Sequence, residues 1–224
     1  MLLTLPLLDD NEVRALRDLL DRADWQDGRN SAGNQGVQVK RNHQLPRGSS
    51  AERAGQAIVT QALNRSPAFL SACLPRKLVP PYFNRYEGDA NHFGPHIDGA
   101  IRYTEAGQAV RTDLSCTVFL SDPNSYDGGE LVLHDGLDQR SVKLQAGHAV
   151  VYGASYVHEV RPVTRGTRLA SFLWIESLVP RDDQRRLLWD FDRALTVLRG
   201  QGESPATVSL AGTYHNLLRM WGQT

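Results

Sequence analysis

His96 and Asp98, two apart in the segment NHFGPHIDG, are spaced to share a metal ion. In extended backbone, positions i and i+2 point to the same side, so the imidazole and the carboxylate converge. A second imidazole from a neighbouring strand would complete one triangular face. His158 follows the strand-like run AVVYG and begins another, so it is placed to supply that imidazole. Two histidines and one carboxylate suit iron(II), filling three corners of an octahedron and leaving three for substrate and oxygen. A closed four-ligand zinc site leaves none. The triplet alone also reads as a turn beside Gly94-Pro95 and Gly99, with an exposed histidine and a solvated aspartate. Arg168, ten residues after His158 at the head of RLASFLWI, weighs toward the metal. An arginine in that alternating strand faces either solvent or an anion in a pocket, and its fork suits a carboxylate.

These groups need a frame to hold them. From about residue 79 the chain alternates short β-branched and aromatic runs with turn clusters. The runs are VPPYFNRYEG, TDLSCTVFL, GELVLH, SVKL, HAVVYG, VHEVRPV and TRLASFLWI. Many short strands with no helical pattern between them predict an antiparallel sandwich or barrel, ending near residue 178. Ahead of it, residues 9–22 place Val13, Leu16, Leu19 and Leu20 on one face of an amphipathic helix. A second helix begins at Ser49, with Glu52 in capping-box spacing and Ala54, Ile58, Val59, Ala62 and Leu63 as its apolar stripe. Past the β region, Leu187, Leu188, Phe191, Leu195 and Leu198 repeat at helix spacing up to Gly200. Ser204-Pro205 reads as an N-cap with proline in the first turn, opening a last helix with Leu210, Tyr214, Leu217, Leu218 and Trp221 on one face. The expected division is 1–77 as N-terminal helical and strand support, 78–178 as the β core, and 179–224 as a helical C-terminal element. Stripes this extensive predict that the tail packs on the core or makes a homo-oligomer contact.

Composition excludes several partners. Twenty-five basic residues balance 25 acidic ones in 224, which leaves no electrostatic footprint for nucleic acid or an anionic membrane. No apolar run approaches the roughly 18 residues a membrane span needs, and the N-terminus lacks a signal peptide's pattern. Cys116 lies inside an apolar run and reads as a small buried side chain, so a reducing cytoplasm is the expected location.

Taken together, HxD, a histidine about sixty residues on and an arginine ten beyond it resemble the iron(II)- and 2-oxoglutarate-dependent dioxygenases. More narrowly, YFNRYEGDANHFGPHIDGAIR, RTDLSCTVFLSDPNSYDGGELVL, HEVRPVTRGTR and the tail from QRRLLWDFD resemble the bacterial PKHD-type hydroxylases, a group sometimes linked to iron uptake. The resemblance implies a mainly β fold, a double-stranded β-helix or jelly roll with flanking helices. It implies Fe(2+) on His96, Asp98 and His158, with Arg168 on the distal carboxylate of 2-oxoglutarate. Tyr86, ten residues before His96, stands where such enzymes place a second group for that carboxylate, and core packing is the competing reading. L-ascorbate is implied as an accessory reductant. The implied reaction decarboxylates 2-oxoglutarate to succinate and hydroxylates a C–H bond of a peptidyl side chain, a siderophore or a free metabolite. Two other readings are a non-catalytic metal and 2-oxoglutarate sensor, and a zinc-dependent cupin-like isomerase or hydrolase.

The remaining candidates read as follows. His92 is a loop or substrate-pocket residue, since a fourth protein ligand would block a needed position. Arg102 reads as a solvated charge, with substrate contact as the alternative. Asp127-Gly128-Gly129-Glu130 is a turn into the strand GELVL, with Glu130 near the pocket. His43, His134, His148 and His215 are read as surface histidines.

Overall fold

The alternating middle of the chain folds into two antiparallel sheets that share an interior. The computed structural model describes residues 2–224 apart from 32, 34 and 137. The first strands are β1 (Leu2–Pro6), β2 (Gln26–Asp27), β3 (Lys40–Arg41), β4 (His43–Gln44), β5 (Pro75–Leu78) and β6 (Tyr82–Tyr86). Then come β7 (His92–His96), β8 (Ile101–Tyr103), β9 (Ala109–Arg111), β10 (Leu114–Phe119), β11 (Asp127–Gly128) and β12 (Leu131–Asp135). The last are β13 (Asp138–Val142), β14 (His148–Gly153), β15 (Val157–Val160), β16 (Val163–Arg165) and β17 (Arg168–Ser177). The helices are α1 (Asp10–Asp21), α2 (Gly36–Val39), α3 (Ser50–Arg65), α4 (Pro67–Cys73), α5 (Asp182–Arg199) and α6 (Pro205–Trp221).

The larger sheet runs β1-β14-β10-β17-β6-β4-β2, with β5 also on β17, and the smaller runs β13-β12-β15-β7-β3. This is the jelly-roll arrangement, with helices at either end of the chain. Alternation along the central strands assigns their faces. On β10, Leu114, Cys116 and Val118 join Leu16, Leu20, Val59, Leu63 and Phe69 in a core beneath α1, α3 and α4. On β17, Leu169, Leu173 and Ile175 join the same core. The opposite parity, Arg168, Phe172 and Trp174, borders a cavity that residues of the smaller sheet also line. With both faces covered, every residue of β10 is buried.

Helix ends follow the sequence with two differences. Asp9 and Glu12 close a capping box on α1. At α3, Ser49 accepts from the Glu52 N–H as expected, but the Glu52 carboxylate accepts from Gly48 N–H at 2.7 Å rather than closing the box. The helical tail packs inward through Leu188, with Tyr214, Leu217, Leu218 and Trp221 around Leu74 and Val179. Its first stripe is narrower than the sequence suggested. Leu188 and Leu195, seven apart, are buried, whereas Leu187 and Leu198 are 53% and 41% exposed. α5 packs against α4 and α6, which leaves Leu187 and Leu198 toward solvent. Among the described residues, no helix is long and apolar enough to cross a membrane. Cys73 and Cys116 are buried free thiols.

Candidate active site

His96 closes β7 and stands directly opposite His158 on β15. Two imidazoles far apart in sequence thus become cross-strand neighbours, with ring centres 4.2 Å apart. The chain leaves β7 at His96, and two residues on it returns the Asp98 carboxylate, whose Oδ2 lies 3.7 Å from His158 Nε2. One ligand atom from each of the three residues falls within 4.8 Å of the others. Each imidazole is oriented by a backbone carbonyl two residues before it. His96 Nδ1 lies 2.9 Å from the Gly94 carbonyl and His158 Nδ1 lies 3.0 Å from the Tyr156 carbonyl. A carbonyl only accepts, so each Nδ1 carries the proton and each Nε2 offers a lone pair to a metal. Phe93 stacks on His96 at 3.5 Å between ring centres, and Tyr152 meets His158 edge-on at 5.2 Å.

The larger sheet holds the carboxylate. Ser115 Oγ donates to Asp98 Oδ2 at 2.6 Å, and the Trp174 side chain lies close enough to Asp98 to favour its ionised form. Ser115 and Trp174 are register partners on β10 and β17, so adjacent strands bring both side chains to the carboxylate. Burial works to raise the Asp98 pKa, but His158, Ser115, Trp174 and His96 outweigh it and hold the carboxyl below its ordinary value. Burial, then the charge of His158, holds His96 below its ordinary value. The cluster therefore carries an ionised carboxylate and a histidine that resists protonation, both in the form a divalent metal needs.

Arg168 lies in the same cavity. It is 1% exposed, and among the described residues none of its three guanidinium nitrogens has a hydrogen-bond acceptor. The Tyr126 hydroxyl approaches the guanidinium without meeting hydrogen-bond geometry. Burying an unpaired charge costs several kcal/mol, and an anion in the cavity would offset that cost. Tyr86 is the register partner of Arg168, and the guanidinium carbon sits 5.2 Å from the Tyr86 and Phe119 ring centres. The Tyr86 hydroxyl accepts from Asn84 Nδ2 at 3.3 Å and keeps its own proton to donate. Gly129 makes room for the arginine stem. Its φ is +67°, and a Cβ there would lie 3.0 Å from Arg168 Cδ and 2.8 Å from Val163. The turn DGGE thus helps to shape the arginine pocket.

His96, Asp98, His158, Arg168 and Tyr86 all line one cavity of about 670 Å³. The structure departs from the expectations for His92 and Arg102. His92 lies in β7 rather than a loop and does not line the cavity. Four extended residues separate it from His96 by about 13 Å, and its ring is bonded to Asn91 at 2.9 Å. Glu130, between Gly129 at the Arg168 stem and Leu131 in the cavity wall, is near the pocket as expected but is turned away from the wall by alternation. Arg102 is not a solvated charge: it lies half-buried over Trp174, 4.1 Å from the ring centre, and lines the cavity. Lys40, Ser115 and Trp174 also line the cavity, beyond the residues expected from the sequence. For Ser115 a signal existed, a hydroxyl alternating with apolar residues in LSCTVFL. Lys40 sits on a two-residue strand in VQVKRN and gave none.

Residues 81–176 match the 2OG-Fe(II) oxygenase superfamily, and residues 182–223 match the PKHD-type hydroxylase C-terminal domain. A PKHD-type hydroxylase of Polaromonas sp. (strain JS666) is 56% identical over 227 residues, covering 100% of both chains. One from Verminephrobacter eiseniae is 54% identical, again with 100% of both chains covered. Among solved structures, a Pseudomonas putida prolyl-4-hydroxylase superposes with a TM-score of 0.52 at 21% identity, covering 79% of this chain and 92% of that one. A Trichoplax adhaerens prolyl hydroxylase in complex with a hypoxia inducible factor peptide fragment gives 0.54 at 16%, covering 84% and 86%. At such identities the likeness speaks for the fold alone.

Proposed function

The chain belongs to the PKHD-type hydroxylases of the 2OG-Fe(II) oxygenase superfamily, and we propose that His96, Asp98 and His158 hold its iron(II) while Arg168 binds the distal carboxylate of 2-oxoglutarate. The observation that carries this reading is Arg168: a buried guanidinium with three unpartnered nitrogens, in one cavity with a His-Asp-His cluster. A carboxylate would satisfy two of those nitrogens at once. Tyr86 would donate to the same carboxylate from the partner strand. With iron and 2-oxoglutarate bound, the site would couple decarboxylation to succinate with hydroxylation of a substrate C–H bond. The protein's part is positioning. Ser115 and Trp174 orient Asp98, backbone carbonyls fix both imidazoles, and Phe93 and Tyr152 keep water from the ligands.

Membership of a family of hydroxylases favours turnover over a non-catalytic sensor. A reducing compartment such as the cytoplasm suits the two buried free thiols. Ascorbate as accessory reductant rests on the family resemblance alone. The test is succinate release by purified protein given iron(II), 2-oxoglutarate and air. Slow turnover without added substrate, abolished by removing oxygen or iron, supports the reading. Oxygen-independent turnover with zinc would instead favour an isomerase or hydrolase.

A further inference from the structure

Two more cations border the cavity. Lys40, on β3, is 3% exposed, and its ammonium donates to Ser31 Oγ at 2.9 Å. Arg102, on β8 just past the HxD loop, lies over Trp174, and its Nε is buried without an acceptor. Among the described residues neither has a carboxylate within 4.0 Å, and Asp98 is the one acid in the cavity wall. The charges already assigned balance: iron(II) and Arg168 against Asp98 and a doubly negative 2-oxoglutarate. Lys40 and Arg102 are left over. A buried lysine and a half-buried arginine on one cavity wall, with no carboxylate beside either, mark a place for a negative group.

The surrounding wall is apolar. Phe93 lies under Lys40 at 5.2 Å, and Phe172 stacks edge-on against Trp174 at 5.5 Å between ring centres. Ile97 and Ile101 stand at the mouth, 54% and 49% exposed. The cavity volume falls in the range of small-molecule sites and exceeds what five-carbon 2-oxoglutarate fills.

Building on the dioxygenase reading, we infer that the substrate is a small apolar molecule carrying an oxyanion, a carboxylate or a phosphate. Lys40 and Arg102 hold that oxyanion, and the apolar body lies along Trp174 and Phe172 toward the metal. Both are specificity residues for the substrate, separate from the Arg168 position that takes the co-substrate.

The test uses full-length protein loaded with zinc(II) and N-oxalylglycine, an unreactive analogue of 2-oxoglutarate, with binding read by ligand-observed NMR. The probes are 4-phenylbutanoate, 3-phenylpropyl phosphate and the neutral 4-phenylbutanamide. At least one anionic probe should bind tenfold or more tighter than the amide, the scale of a charge-assisted hydrogen bond. That preference should collapse in Lys40→Met and in Arg102→Met and survive in Lys40→Arg. Which anion wins separates carboxylate from phosphate substrates. Equal binding of acid and amide overturns the inference, as does binding of no probe at about 10 mM. Displacement of N-oxalylglycine by the acids also overturns it, because it places the anion at Arg168. Failure of N-oxalylglycine itself to bind counts instead against the dioxygenase reading.

Discussion

Replacing Arg168 with methionine should make the metal-free protein more stable and its co-substrate binding far weaker. The guanidinium is 1% exposed and unpaired, so without an anion it carries a desolvation cost of several kcal/mol. Methionine removes that cost and gives back part of it through imperfect packing, for a net gain of about 2 kcal/mol. In a chain of 224 residues this raises the melting temperature by about 4–8 °C. With iron(II) and 2-oxoglutarate under nitrogen the order reverses. Two charge-assisted hydrogen bonds are lost, about 3 kcal/mol or more, which weakens binding by more than about a hundredfold. At a concentration a hundred times the wild-type Kd, 2-oxoglutarate stabilises the wild type by about 2.7 kcal/mol and the variant by about 0.3 kcal/mol. Thermal melts with and without the ligand read both numbers from one pair of proteins. A variant that melts lower without ligand yet keeps its 2-oxoglutarate shift would refute the reasoning, since Arg168 would then be a satisfied structural residue.

Three further outcomes follow from the same geometry. Ser115→Ala removes the 2.6 Å hydrogen bond to Asp98 and should lower metal affinity by about 10–100-fold with little change in fold, measured by competition with a chelator; unchanged affinity would contradict the role given to that hydroxyl. Gly129→Ala puts a side chain at φ +67° against Val163 and Arg168, and should cost about 1–3 kcal/mol while weakening 2-oxoglutarate binding, read by melts and titration. Burial, then the charge of Arg102, draws the Lys40 pKa from its ordinary 10.5 to about 7 in the metal-free protein. Between those values the unfolded chain holds the extra proton, so this group makes stability rise with pH, by up to about 1.4 kcal/mol per unit. Lys40→Met should therefore be more stable than wild type at pH 7, with the gap closing toward pH 10; comparing the two proteins cancels the buried tyrosines and cysteines, and a constant gap would contradict it.

The candidate site was legible in the chain wherever its chemistry is rare and its strand is long. Arg168 stands out because a charged group at the head of an alternating strand has few innocent places to go, and it lifts the HxD triplet above its reading as a turn. His158 needed only a neighbouring strand, which the pairing of β15 with β7 supplies. Lys40 was invisible because its strand has two residues and its meaning lies in pairing with Phe93, more than fifty residues away. β1 escaped for the same reason: Leu2–Pro6 becomes a strand by pairing with β14, a contact no local pattern announces. α4 passed unnoticed although Ser66-Pro67 opens it with the same cap and proline that revealed α6. Arg102 was taken for a surface charge since nothing nearby in sequence predicts that Trp174 will lie beneath it.

Held by His96, Asp98 and His158 alone, one iron(II) would keep adjacent positions open for 2-oxoglutarate. An anaerobic titration of the iron-loaded protein with 2-oxoglutarate tests this, followed by the visible charge-transfer absorption of an iron(II) chelated by an α-keto acid. A band should appear, saturate at one 2-oxoglutarate and one iron per chain, and be lost in His158→Ala. A protein that binds iron but develops no band, or a band unchanged in His158→Ala, would contradict it.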